Sequence, residues 1–474
     1  MEYIHKEFTR KKNLDYDVVV VGGGLAGLTA AIASARHGAK TAIIQDRPVF
    51  GGNASSEIRM HICGASENQK KPEYEEGGIL HEIMLLNKSR NDSFNYSVWD
   101  MTLYEVVKSQ QNLTAYLNTT MLDCEVSDGS IGSVRCYQLT TETFYTIHAQ
   151  IFIDCTGIGT LAMKSGAVFM TGSEGRRIIG DYILTENDIL EKRRFYDGVT
   201  YGGWAMDVHT PGGLYDFDKR PSQIRCFDGV YEIPYRCFYS RNIKNLMMAG
   251  KIISASKLGI SSTRVMGTCA AGGQAAGTAA AMCVRKGLPP RRLLPFVGEL
   301  RRELVKDDCF IPGFSESDGD LLIGAEVFTP SFRAGHEPGL IANGSARNGL
   351  FISNGVSDAS EIIRIVPTRA ISVDELRITF DSCFERAIKI TLSDKRRAQQ
   401  LPGVPPELVK DYRVELLYRG RKVAERMVEG NFERLNILVF DGILTDEIRL
   451  AIFSTNGCPD ARIFRIAAYE NEDR

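Results

Sequence analysis

Apolar residues along this chain follow two different rhythms. In the first part, Val18-Val19-Val20-Val21 is an unbroken apolar run, and small apolar residues fill the stretch from Ala26 to Arg36. The first predicts a strand buried on both faces and the second a helix packed on it. Gly38 closes that helix and Thr41 to Ile44 predict the next strand, so Tyr16 to Ile44 read as one βαβ unit. A second glycine- and alanine-rich helix is predicted from about Thr268 to Arg285, ahead of Pro289-Pro290. Past Asp308 the texture changes. Pro312, Gly313, Ser315, Ser317 and Gly319 mark a linker. Beyond it the trios Leu376-Ile378-Phe380, Ile388-Ile390-Leu392 and Ile448-Leu450-Ile452 alternate with polar neighbours such as Arg377, Lys389 and Arg449. Period two over short segments predicts an all-β sandwich, jelly-roll-like. The chain therefore divides into an α/β part over residues 1–310 and a β-sandwich over residues 320–474.

A length of 474 residues exceeds what one core ordinarily organises, in keeping with that division. Hydrophobic content of 43%, charged content of 24% and a formal net charge of −2 exclude a disordered chain or a polyanion-coating surface, so no nucleic-acid partner is expected. The basic N-terminal stretch has no apolar core, and no run of about 18 apolar residues occurs. No membrane association is expected and the reading is cytoplasmic. Eleven scattered cysteines without a CxxC pair read as reduced thiols, and no metal is expected.

Between the first strand and its helix lies Gly22-Gly23-Gly24-Leu25-Ala26-Gly27, a GxGxxG fingerprint in its proper context. Gly22 permits the tight turn, Gly24 lets backbone approach a pyrophosphate, and Gly27 lets helix and strand sit close. The phosphates would lie on the helix N-terminus, whose free N–H groups and dipole favour anions. This makes the α/β part Rossmann-like, with a parallel or mixed sheet. The acid that usually binds ribose at the end of the second strand is replaced by Gln45, with Asp46 next to it.

Three further segments point to the kind of dinucleotide. They are Gln45 to Glu57, containing the pair Gly51-Gly52; the strand Ile151 to Asp154 running into Cys155-Thr156-Gly157; and Asn245 to Lys251 with Arg264-Val265-Met266 and Gly273 to Gly277. Together with the fingerprint, in this order over roughly residues 1–290, they resemble the FAD-dependent oxidoreductases of the two-dinucleotide-binding-domain type, in the branch of heterodisulfide reductase-like flavoproteins. The resemblance implies FAD as cofactor. It assigns Gly22, Gly24, Leu25, Ala26 and Gly27 to the fingerprint and Gln45, Asp46 and Arg47 to the ribose side. Gly51, Gly52 and Asn53 fall beside the pyrophosphate and flavin, Thr156 and Gly157 near the adenosine half, and Gly250, Lys251 and Gln274 in the C-terminal flavin segment. The sandwich resembles a module that some of these flavoproteins carry. The iron–sulfur motifs common among such relatives are missing, and only Cys63 follows Gly51-Gly52, so neither a cluster nor a redox cysteine pair is expected. A second GxGxxA at Gly157 to Ala162 is followed by room for only a short helix, Leu161 to Ser165, too little for another nucleotide unit. Compared with those relatives the substrate region, about 175–235, is short: Gly172-Ser173-Glu174 leads almost at once into Arg176 and Gly180, which implies an open flavin face.

Flavin carries the redox step, so the protein's own chemistry reduces to orientation and a base for the proton that leaves with a hydride. The candidates are His209, in the glycine-rich and aromatic stretch Tyr201 to Gly213, and His61, in the segment expected to pass the flavin. Arg264 is the candidate for holding an anionic substrate or the reduced ring. The reading is an FAD-dependent oxidoreductase acting on a small polar organic molecule, with carbohydrates or glycosides as the class. The alternatives are a non-catalytic FAD-binding scaffold and one chain of an electron-transfer flavoprotein, and a homo-oligomer or a redox partner protein is left open.

Overall fold

The computed structural model of the protein describes residues 10–172, 175–314, 319–355 and 362–470. The markers Ser173, Glu174, Ser315 and Ser317 lie outside them. β1 (Arg10–Val21) ends in the four buried valines, and α1 (Leu25–Arg36) is buried along nearly its whole length. After β2 (Thr41–Ile44) come α2 (Ala65–Gln69), α3 (Gly78–Lys88) and α4 (Tyr96–Ser109), then β3 (Leu113–Tyr116), β4 (Thr119–Ser127), β5 (Ser130–Gln138) and β6 (Thr143–Asp154). The sheet order is β3-β2-β1-β6-β5-β4, parallel from β3 to β6 and antiparallel through β5 and β4.

Next along the chain are α5 (Thr160–Lys164), the ribbon of β7 (Phe169–Gly172) and β8 (Gly175–Ile178), and α6 (Glu186–Leu190). They are followed by β9 (Gly198–Gly202), β10 (Met206–His209), β11 (Ser222–Arg225), β12 (Tyr231–Pro234) and β13 (Leu246–Met248). The region about 175–235 thus carries two ribbons, β9 with β12 and β10 with β11. β6 divides its edge. Its first half pairs with β5, while Phe152, Ile153 and Asp154 pair with β13, which brings Gly250 and Lys251 beside the end of β6. α7 (Lys257–Thr263), α8 (Met266–Lys286) and α9 (Val297–Lys306) complete this part. α1 needs no polar face because the sheet covers one side and α8 the other. Thr29 Oγ1 donates to Ala270 O at 2.7 Å, and a Cβ at Gly273 or Gly277 would collide with the α1 carbonyls of Ala26 or Ala30.

The C-terminal part contains β14 (Glu326–Phe328), β15 (Phe351–Ile352), β16 (Ile362–Val366), β17 (Ile371–Phe380), α10 (Asp394–Arg397), β18 (Val409–Tyr418), β19 (Arg421–Val428), β20 (Leu435–Thr445), β21 (Glu447–Thr455) and β22 (Arg462–Tyr469). Two antiparallel sheets, β14-β16-β21-β18-β19 and β15-β22-β17-β20, form the sandwich. Leu376, Ile378 and Phe380 point into its core from β17, as do Ile448, Leu450 and Ile452 from β21. The third predicted strand is different. Ile388 and Ile390 are buried, but residues 388–392 pair with no strand, and Leu392 is exposed. Their alternation has another cause: Lys389, the polar residue between them, is 2% exposed and is buried against the α/β part instead of facing water.

The seam between the two parts has a polarity. Every cation in the following pairs comes from the sandwich side and every anion from the α/β side. Lys389 meets Glu75 at 3.0 Å and Glu67 at 3.4 Å, Arg396 meets Glu67 at 3.0 Å, Arg377 meets Asp307 at 3.1 Å, and Arg434 meets Asp308 at 2.9 Å with both side chains buried.

Candidate functional site

Past the C-terminal ends of β1, β2 and β6 lies a cleft of about 440 Å³. Local backbone chemistry shapes its floor. Gly22 has φ +106°, and a side chain there would collide with the Cys155 carbonyl. Gly51 has φ +101° and Gly52 φ +57°, and a Cβ on Gly52 would lie 3.1 Å from Gly24 Cα, so two glycine turns touch. Gly24 is the residue before α1; its φ is an ordinary −64°, and a Cβ built on it meets nothing within 4 Å. The first turn of α1 has neither a side-chain cap nor an acidic residue. Its N-terminus is therefore left for an anion.

Gln45 lines the cleft with its amide already committed: Oε1 accepts from Gly23 N at 2.8 Å and Nε2 donates to Val49 O at 3.1 Å. It braces the glycine loop, and the exposed carboxylate of Asp46 is the acceptor next to it. Asp154, fully buried at the end of β6, was not singled out from the sequence. It accepts from Thr156 N and Oγ1 and from Ala162 N, at 2.9, 2.7 and 2.9 Å. Thr156 Oγ1 in turn accepts from Thr160 N at 2.9 Å, so this threonine is a structural bracket for Gly157. Thr119, Thr120 and Met121 also line the cleft, and no sequence signal marked them.

The cleft gathers Gly22, Gly24, Leu25, Ala26, Gln45, Asp46, Arg47, Gly51, Gly52, Asn53, Thr156, Gly157, Gly250, Lys251 and Arg264. Gly27 and Gln274 are outside its lining. A side chain at Gly27 would strike Gly22 O, so this glycine sets the helix–strand approach. Gln274 Oε1 accepts from Ile79 N at 2.9 Å, holding α3 to α8. His61 is also elsewhere, with Nε2 2.7 Å from Glu67 and 2.6 Å from Arg396 in the seam between the two parts. The thiols near the cleft are poor nucleophiles, because burial raises Cys63 to about 11 and Cys269 to about 12.

A family profile described as FAD dependent oxidoreductase matches residues 17–176 and 173–304, more than half of the chain. The chain belongs to that family. FAD is its cofactor. Among curated relatives, the chain is 28% identical over 199 residues to the tRNA uridine 5-carboxymethylaminomethyl modification enzyme MnmG of Treponema pallidum, covering 37% of this chain and 29% of that protein. It is 50% identical over 42 residues to pseudooxynicotine dehydrogenase of a Pseudomonas species, covering 9% and 8%. The chain thus spans less than a third of the length of either relative. A fucose binding module of Streptococcus pneumoniae aligns with 32% of this chain and 98% of its own at 9% identity, with a TM-score of 0.25, too low to establish a shared fold.

The residues fit the cofactor, since the space above Gly24 is free and the helix end behind it is uncapped. Gln45, Asp46 and Arg47 line the cleft just past the end of β2, the place where dinucleotide-binding folds in general hold a ribose. Arg264 and Met266, at the junction of α7 and α8, also line the cleft. There Arg264 Nη2 is 3.0 Å from His209 Nε2 and 3.4 Å from Asp207 Oδ2, and Asp207 Oδ2 is 3.3 Å from the same histidine nitrogen. His209, 52% exposed at the end of β10, stands over Arg264 instead of in the lining. Asp207 completes the trio and was missed in the sequence, where an isolated aspartate two residues from a histidine carries no signal.

Proposed function

We propose that the protein oxidises a hydroxyl-bearing small polar substrate, with a carbohydrate or glycoside as the class, by hydride transfer to FAD. The observation that supports this is the Asp207, His209 and Arg264 trio at the cleft. Bound flavin supplies the hydride acceptor. His209 supplies the base. Unprotonated, its Nε2 accepts from Arg264; a substrate hydroxyl that takes the place of Arg264 at this nitrogen would give it its proton, and the Asp207 carboxylate 3.3 Å away would stabilise the imidazolium. Both protonation states have a partner, and Arg264 remains charged between them. Anaerobic stopped-flow bleaching of the flavin across a panel of glycosides is the test. His209→Ala is expected to slow bleaching ~10²–10⁴-fold with FAD content unchanged. A panel that leaves the flavin oxidised rejects the substrate class.

The second reading, electron exchange with a partner protein, is supported by a different feature. Tyr215 and Phe217, at the tip of the β10–β11 ribbon, are 89% and 88% exposed. Aromatic surface of this kind next to a cofactor site suits a docking contact. Reduction by a redox protein, with none by small alcohols, would favour it.

A further inference from the structure

Glu76 lies between α2 and α3 and is 1% exposed, yet only one of its carboxylate oxygens is engaged. Oε1 accepts from Ala65 N at 2.8 Å, whereas Oε2 has no hydrogen-bond partner among the described residues. The carboxyl group presses on the first turn of α8, since a Cβ built on Gly267 would lie 2.9 Å from Glu76 Cδ. Met266 and Cys269, on either side of Gly267, are both in the cleft wall. One helix end therefore separates Glu76 from the cofactor cleft.

That helix end is well suited to carry charge effects between them. α8 runs for 21 residues, and its first turn has no side-chain cap and no acid. Two anionic groups, the Glu76 carboxylate and a reduced flavin, share its partial positive charge, so charge added to one raises the cost of charge on the other. Lys389 attracts the Glu76 carboxylate without offsetting its burial. Lys389 from the sandwich is held by Glu75 and Glu67, and Arg396 and His61 lie beyond Glu67. The Cys63 thiol and the phenols of Tyr201 on β9 and Tyr231 on β12 complete the surroundings. Burial first, with Glu75 adding to it, raises the Glu76 carboxyl to about 7 against the pull of Lys389.

We propose that Glu76 takes up a proton from solvent when the bound flavin is reduced. The flavin gains two electrons and one proton as hydride, and the Glu76 carboxylate becomes a carboxylic acid at Oε2. Two protons then enter per two electrons. Linkage makes the effect reciprocal: protonating Glu76 favours the reduced flavin by the same factor that flavin reduction favours protonated Glu76. The inference holds for any substrate and concerns potential, not turnover.

The test is a spectroelectrochemical titration of the FAD-loaded full chain upward from pH 7, where Glu76 is ionised while the flavin is oxidised. At ~30 mV per proton per pH unit for a two-electron couple, the wild type is expected to fall by about 60 mV per pH unit and Glu76→Gln by about 30. A wild-type slope of about 30 overturns the proposal, as does a Glu76→Gln slope of about 60, which would put the second proton on the ring. Should the variant fail to hold FAD, the reduced-minus-oxidised infrared difference spectrum of the wild type decides. A protonated carboxyl band that shifts in D₂O is expected, and its absence overturns the proposal.

Discussion

Two glycines of one fingerprint do different jobs, and substitutions separate them. Gly24 faces free space at an ordinary φ, so Gly24→Val is expected to leave the fold intact and fill the place of the pyrophosphate. The purified variant should be colourless and melt near the temperature of the FAD-free wild type. Gly27→Val drives a side chain into Gly22 O and is expected to destabilise the fold by at least the ~1–3 kcal/mol typical of overpacking. If both variants lose stability equally, the cleft above Gly24 is not the phosphate cradle. At the same scale, Gln45 shows how a residue at the ribose position can turn inward. Its amide satisfies Gly23 N, a backbone donor that would otherwise be stranded.

Among the elements, α1 packs closely on α8. Their backbones come within reach because Gly273 and Gly277 face Ala26 and Ala30, and that contact fixes where the α8 N-terminus meets the cleft. Gly277→Leu is expected to force the helices apart, lowering stability by roughly 1–3 kcal/mol and weakening FAD retention together. Thermal melts with and without added FAD check this. A variant that melts lower but binds FAD with unchanged affinity would show that the helix pair does not set the cleft. The β10–β11 ribbon is the other element that matters. Pairing of Met206 with Arg225 and His209 with Ser222 places His209 over Arg264.

At the scale of the whole molecule, the one-signed seam makes the sandwich part of the α/β part's electrostatics. Cutting the chain at about residue 310 would leave Glu67, Glu75, Asp307 and Asp308 without Lys389, Arg396, Arg377 and Arg434. The fragment is expected to be markedly less stable than the full chain. Lys389→Met, which removes the buried cation that Glu75 and Glu67 share, should cost about 3–5 kcal/mol by urea unfolding. The seam also predicts a pH dependence. Burial works against the charged form of Glu67, but the hydrogen bond from His61 and the charge of Lys389 outweigh it and lower the group to about 2. A carboxyl lowered on folding contributes stability above its unfolded value, and that contribution is lost as pH falls through the folded one. It amounts to roughly 3 kcal/mol, lost between about pH 4.5 and 2. Asp307 acts with the same sign, held down by His37 and Arg377 against burial. Acid unfolding curves of the wild type and Lys389→Met should converge toward pH 2; parallel curves would show that the seam does not titrate.

The sequence alone determined what depends on neighbours along the chain. The βαβ unit, the glycine fingerprint, the small-residue helix and the alternating strands β17 and β21 are local patterns, because a buried strand, a phosphate loop and a two-faced sheet each impose their own spacing. Tertiary structure decided what depends on which surfaces meet. Residues 388–392 alternate like a strand, yet Lys389 is buried among carboxylates more than 300 positions earlier in the chain, and no periodicity encodes that encounter. His61 and His209 looked alike as single histidines. Only the packing of the sandwich drew one into the seam, and only a ribbon register set the other beside Asp207 and Arg264 at the cleft. Glu76 gave no signal in the sequence, since the burial and the helix end that give it meaning come from segments that meet only when the chain is folded.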